Sequence, residues 1–344
     1  MKKTLDILLT AIILILAGCQ DKPSLDPVTG PSESHPIQFG ISADLEVESK
    51  SVIDNDNVTD YGFLAFGNLT VDGVQQTDLF GPTGATVLYD DEAEDWTYSP
   101  LRYWQTGSYD FAAVMPYLTA FTPSFSADNQ LTLDFGANGF NLAANQADLM
   151  VAFDSQTVQN ASSATHVDFN FAHQLALVTI EGASKDPNTT GIQVDAIKVY
   201  GNSARTDGNM VFTNNQGTII PAFTVSGSKT NSDEPFKTFL ADDEAGEALT
   251  HDWTLVAPTT DGTPVYDVLI PELIVFPETC SFTIVVSYTE NGSPKTMTGT
   301  LPATWEAGKK YTYRFHLASD ISFSVEVARW GTPIKVGGEN IPIL

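Results

Sequence analysis

The sequence predicts an all-β protein of two antiparallel β-sandwich domains behind an exported N-terminus. Three observations carry this. Apolar residues alternate with polar ones in many short runs, the period of strands with one buried face. Turn-forming clusters separate those runs, and 25 Gly and 19 Pro in 344 residues supply them. No long stretch keeps a helical period, and no repeat of 20–50 residues stands out, which disfavours a solenoid or propeller.

The length sets the number of domains expected. A chain of 344 residues is enough for two, each with its own core. The organisation read from the sequence is a signal peptide over 1–18, a tether over 19–36, and sandwich domains over 37–184 and 185–344. The boundary is drawn where Ser, Asp, Pro, Asn and Thr interrupt two strand patterns between Gly182 and Gly191.

The first nineteen residues are the most specific segment. Lys2 and Lys3 precede an apolar run from Ile7 to Leu16 that is too short to span a bilayer, which needs about 20 residues. It fits the apolar region of a secretory signal. The run ends in Leu16-Ala17-Gly18-Cys19, a sequence that resembles the lipobox of bacterial lipoproteins. That resemblance implies cleavage before Cys19 and acylation of its thiol. One acyl chain holds a protein marginally and two or three hold it stably, so acylated Cys19 would anchor the chain to a membrane. Pro23, Pro27, Pro31 and Pro36 then mark an extended tether.

Folding is expected to begin at Ile37. In Ile37-Gln38-Phe39-Gly40-Ile41-Ser42-Ala43-Asp44-Leu45-Glu46-Val47 the residues Ile37, Phe39, Ile41, Ala43, Leu45 and Val47 form one apolar face. Each of the larger five contributes about 1.5–3 kcal/mol when buried. Further strands are expected at Tyr61–Phe66, Tyr109–Met115, Leu131–Phe135, Leu149–Phe153, Val167–Ile180 and Ile192–Tyr200. More are expected at Asp252–Ala257, Tyr266–Ile270, Ser281–Tyr288, Lys295–Leu301, Lys310–Leu317 and Ile321–Val327. Val71-Asp72-Gly73 and Gly337-Gly338 read as turns, and Asn291-Gly292 as a type I′ hairpin.

Chemistry is harder to find. With 16 basic and 43 acidic residues the formal charge is −27, a field that repels nucleic acid. Five histidines form no zinc spacing, and neither a nucleophile elbow nor a phosphate-binding glycine motif occurs. The reading is therefore a non-enzyme with no cofactor, no catalytic residue and no metal site. Asp54-Asn55-Asp56 opens like a calcium loop but fails at Val58 and Thr59, so it reads as solvated, as does Asp242-Asp243-Glu244 with Glu247. His173 is expected to be buried and bonded to a backbone carbonyl. Cys280 has no basic neighbour and reads as a buried, inert thiol. Trp96, Tyr98, Tyr103 and Trp104 form an aromatic cluster that either closes the end of a core or stacks on sugar rings.

Several segments, taken in order, resemble the fimbrillin-like lipoproteins of Bacteroidales type V pili. They are Leu101-Arg102-Tyr103-Trp104 with Tyr109–Tyr117, Ala147–Ala152, Val167–Ala176, and Trp305–Tyr313 leading to Val327-Ala328-Arg329-Trp330. The resemblance implies transthyretin-like sandwiches, an outer-membrane or fimbrial location, and assembly with other fimbrial subunits by strand addition. The partners it implies are those subunits, the membrane through Cys19, and a host or glycan receptor. In that family a protease cuts after the first strand, and a neighbour's strand fills the groove left behind. The cut commonly follows an arginine, and this chain has none before Arg102. Lys50 is the only basic residue in the polar stretch after the strand; either it takes the arginine's place as the processing point or the subunit stays uncut. The competing function is a surface glycan-binding lipoprotein accessory to an outer-membrane importer, which requires Trp96 and Trp104 on an exposed face.

Overall fold

The computed structural model describes residues 35–41, 53, 57–117, 121–136, 142, 146–164, 166–184, 192–201, 209–215, 218–224, 235–240, 253–317 and 323–330. The expectations that fall on Cys19, Ala43, Leu45, Val47, Lys50, Asp54–Asp56, the 242–247 acidic cluster and Gly337-Gly338 lie outside the described residues. Within them the chain is all-β, with 22 strands in four sheets and only short 3-10 turns besides.

A nine-stranded sheet organises the first part of the chain. Its order is β10 (Val167–Phe169), β1 (Phe39–Ile41), β5 (Asp95–Thr97), β4 (Ala85–Asp90), β2 (Phe63–Val71), β6 (Gly107–Met115), β9 (Met150–Val158) and β11 (Ala172–His173), with β3 (Val74–Gln76) on β2. The first and last strands of that order, β10 and β11, are separated in sequence only by Asn170 and Phe171. A chain that short forces the two ends of the sheet close together, so the sheet curls around a core of its own. Phe39, Phe63, Trp96, Phe111, Phe169 and Phe171 all belong to that core.

The second part forms two sheets. One runs β18 (Asp267–Val275), β12 (Ala176–Ser184), β21 (Lys309–Leu317), β22 (Phe323–Arg329). The other runs β16 (Lys237–Leu240), β13 (Ile192–Tyr200), β19 (Thr279–Glu290), β20 (Ser293–Thr304), with β17 (Thr254–Leu255) on β13. Their inner faces meet where the Phe282 ring stands edge-on to Tyr313 at 4.6 Å, and Trp305 Nε1 donates to the Tyr313 hydroxyl at 3.0 Å.

A fourth sheet joins the two parts. Hairpin β7 (Thr122–Phe125)–β8 (Gln130–Asp134) pairs through β8 with β14 (Asn209–Asn215), which continues to β15 (Thr218–Thr224). That pairing, like those of β12 with β18 and β21, crosses the division expected at 184/185. The larger core accordingly runs without a break from Leu64, Phe66 and Phe125 to Phe282 and Trp305.

This layering explains the run of apolar residues in β2 and β6. In Phe63-Leu64-Ala65-Phe66, Phe63 and Ala65 enter the first core while Leu64 and Phe66 enter the larger one. A strand covered on both faces reads as a continuous apolar stretch. The reading of Val167–Ile180 as one strand is corrected: it forms β10, β11 and the start of β12, because the chain crosses from one sheet to the next there. The Asn291-Gly292 hairpin is observed. Glu290 pairs with Ser293, and both turn residues have positive φ, +51° and +75°. Those signs define type I′, whose twist matches the flanking strands.

Candidate strand-exchange site

β1 occupies a slot inside the nine-stranded sheet. On one side it runs parallel to β10, with Phe39 opposite Val167, Gly40 opposite Asp168 and Ile41 opposite Phe169. On the other, Phe39 pairs antiparallel with Trp96 of β5. Ahead of β1 the chain is tied to the 102–104 segment. Ile37 N donates to Arg102 O at 2.8 Å, and Trp104 N donates to His35 O at 3.0 Å. Val167 N donates to Gln38 O at 2.8 Å.

The side chains fill sockets. Ile37 and Phe39 are 0% and 2% exposed, whereas Ile41 is only partly buried. The Phe39 ring stacks on Phe169 at 5.6 Å and touches Tyr98, Phe80 and Phe63 at 5.2, 5.5 and 6.0 Å. The regular alternation from Ile37 to Val47 thus appears among the described residues as a strand of only three, preceded by a fully buried Ile37. Gly40 lies under an exposed ion pair, His166 Nε2 to Asp168 Oδ1 at 3.0 Å. A Cβ at position 40 would stand 2.7 Å from that Asp168 oxygen, so the glycine lets the pair close over the strand.

Tyr98 is the polar clamp of the slot. Its hydroxyl donates to Ile37 O at 3.0 Å and accepts from Arg102 N at 3.0 Å. Burial pushes its pKa up to about 12. A tyrosine in the unfolded chain ionises near its ordinary value of 10, so the contribution is intact below pH 10 and is lost as pH rises from 10 through 12. Tyr98→Phe is expected to lower stability by about 1–2 kcal/mol near neutral pH, because Ile37 O and Arg102 N each lose a partner. It should also flatten the decline above pH 10, read as urea midpoints across that range. Part of the decline will remain, since burial also raises Tyr313 to about 12.

Beyond β1, Ile53 is again buried, at 1% exposure. Its N–H donates to Asp148 Oδ2 at 3.2 Å. The same carboxylate meets His173 Nδ1 at 2.9 Å, and both side chains are almost wholly enclosed. The His173 ring lies flat on Trp330, with centroids 4.4 Å apart and planes 3° apart. His173 is therefore buried as expected, but its partner is a carboxylate and not a backbone carbonyl. The neighbouring Leu149 and Gln174 join β9 to β11 and leave Asp148 facing the ring, with Gln174 N donating to Leu149 O at 2.8 Å. Neither Ile53 nor Asp148 stood out in the sequence, since each is one ordinary residue whose meaning depends on a contact across 95 positions.

The aromatic cluster closes a core. Trp96 is 9% and Trp104 4% exposed, and the Trp104 ring packs on Tyr109 at 4.9 Å. The exposed sugar platform required by the glycan-binding reading is therefore not formed by these rings. Cys280 is half-buried against the larger core, short of the full burial expected.

The Fimbrillin-like family model matches residues 54–330, most of the chain. No curated protein matches. Among solved structures, a protein provisionally described as a cell adhesion protein from Bacteroides ovatus is 14% identical, with a TM-score of 0.49 over 88% of this chain and 99% of the other. A fimbrial assembly protein from Parabacteroides distasonis is 11% identical, with a TM-score of 0.37 over 86% and 98%. The architecture and the family match together define a fimbrial, cell-surface class of β-sandwich protein. The chain belongs to the fimbrillin-like family.

Proposed function

We propose that this chain is a structural or adhesive fimbrial subunit that assembles by exchange of its first strand. The observation that carries the reading is β1 itself. A three-residue strand sits between β10 and β5 rather than at an edge, with Phe39 inside a box of four rings. Removing it would bare backbone donors and acceptors on both neighbours and leave an apolar socket, the combination that strand addition satisfies. Ile53, fixed to Asp148, would keep the chain anchored beyond the gap. In this reading Lys50 is the processing point, and a neighbouring subunit supplies the replacement strand. Acyl chains on Cys19 hold the precursor to the outer membrane, and the receptor is a host or glycan surface.

The test is to cleave the mature protein after Lys50, free the N-terminal fragment, and follow mass by light scattering. Concentration-dependent multimers are expected. A cleaved protein that has lost its fragment and stays monomeric at every concentration contradicts the reading. The anchor is tested separately by palmitate labelling in cells: label should enter the chain and be absent from Cys19→Ser, and equal labelling of both would refute it.

A further inference from the structure

One buried stack of side chains joins the two cores. Ile53 belongs to the first core and Trp330 to the larger one. Between them stand Asp148, which accepts from Ile53 N–H at 3.2 Å, and His173, whose Nδ1 meets the same carboxylate and whose ring lies flat on Trp330. Backbone bonds tie the far end down. Trp330 N donates to Gly308 O at 2.8 Å, and Gly308 N donates to Leu175 O at 2.8 Å, two residues beyond His173. Gly308 has φ of +67°, and a Cβ there would stand 3.4 Å from His173 O, so the turn before β21 rests directly on β11.

The stack is a costly way to fill a core. The other acid–base contacts among the described residues are at least partly exposed, whereas Asp148 and His173 are 1% and 6% exposed. His173 Nε2 and Trp330 Nε1 are buried with no hydrogen-bond partner among the described residues. Apolar side chains of the same volume would hold the two cores together at least as well, and an unpaired buried nitrogen regains a hydrogen bond once water reaches it. Such a joint opens more readily than its surroundings. The strand it ends, β22, is also weakly held. It pairs with β21 alone, and Val325 and Val327, on the core-side face with Tyr313 and Tyr311, are 46% and 55% exposed.

We propose that this stack is a latch between the chain that follows β1 and the end of β22. Docking of Ile53 steadies Trp330, and docking of Trp330 steadies Ile53. The physical route is short. The Asp148 carboxylate fixes the His173 ring through Nδ1, and the fixed ring offers Trp330 a flat face. With the Ile53 N–H gone from Asp148, or the indole gone from His173, the remaining side chains can turn and water can reach Nε2. Coupling of this kind is reciprocal by linkage. It is a property of the uncut chain and holds whether or not β1 is ever exchanged. In a chain that did give up β1, loss of Ile53 would free the end of β22 in turn.

The test is native-state amide hydrogen exchange on the mature, uncut protein, with the β13–β19 amides as the reference for global stability. Trp330→Leu is expected to speed exchange at Ile53 about fivefold or more beyond any change in the reference amides. Trp330→Phe, which keeps a ring on His173, should retain most of that protection. In the other direction, Asp148→Ala should speed exchange at Trp330 and Gly308 by a similar excess, and Asp148→Asn serves if that variant does not fold. The latch is refuted if Ile53 in Trp330→Leu, or Trp330 in the Asp148 variant, changes no more than the reference amides. It is refuted equally if Trp330→Phe protects Ile53 no better than Trp330→Leu does.

Discussion

Phe39→Ala is expected to destabilise the protein by about 3–5 kcal/mol, the usual cost of emptying a buried phenylalanine site. Phe39 is 2% exposed, and its four ring neighbours come from four different segments: Phe63, Phe80, Tyr98 and Phe169. Phe63 and Phe169 are held in β2 and β10 and Tyr98 directly follows β5, so the rings cannot all close on the void, which puts the loss towards the upper end. Chemical denaturation of the mature chain gives the number directly. A loss below about 1 kcal/mol would mean that β1 contributes little to the fold. Gly40→Ala gives a useful contrast. The Asp168 oxygen near position 40 is the end of an exposed side chain and can turn away, so the change should stay near the small value of a surface ion pair.

The second large effect is expected at Asp148. Asp148→Ala removes the acceptor for two buried donors at once, Ile53 N–H and His173 Nδ1. Each orphaned group costs about 1–3 kcal/mol, so a combined loss of about 2–6 kcal/mol is expected. Asp148→Asn keeps one carbonyl oxygen and should lose roughly half as much. Amide hydrogen exchange adds a local readout: Ile53 should lose protection in Asp148→Ala well before the β13–β19 amides do. Equal protection in both variants would show that Asp148 does not anchor Ile53.

How much of this was legible in the sequence depended on how local each signal was. β13 appears at Ile192–Tyr200 as expected, because Ile192, Val194, Ile197 and Val199 are buried between polar neighbours. The Asn291-Gly292 and Asp72-Gly73 turns were readable because positive φ is a local demand that few residues meet. β14 and β15 carry no comparably local signal. Their runs, Asn209–Asn215 and Thr218–Thr224, carry polar ends and gain their cover from β8, a strand far away in the chain. The candidate site divides in the same way. Ile37 and Phe39 were visible as an apolar face, and both are buried. Tyr98 was visible only as a ring, and nothing local announces that its hydroxyl holds Ile37 O. The His173 partner was hidden for the same reason: Asp148 lies 25 residues away and meets it only through the β9–β11 pairing.

The central claim is that the place of β1 can be vacated and filled again. It is tested most directly by cleaving the mature protein after Lys50, then adding an excess of fluorescent peptide with the sequence of residues 36–47 and following the label by size-exclusion chromatography. Saturable uptake of one peptide per chain is expected, together with much weaker uptake of the same peptide carrying Phe39→Ala. A folded, cleaved protein that has released its own fragment yet takes up no label, or takes up both peptides equally, would contradict the account.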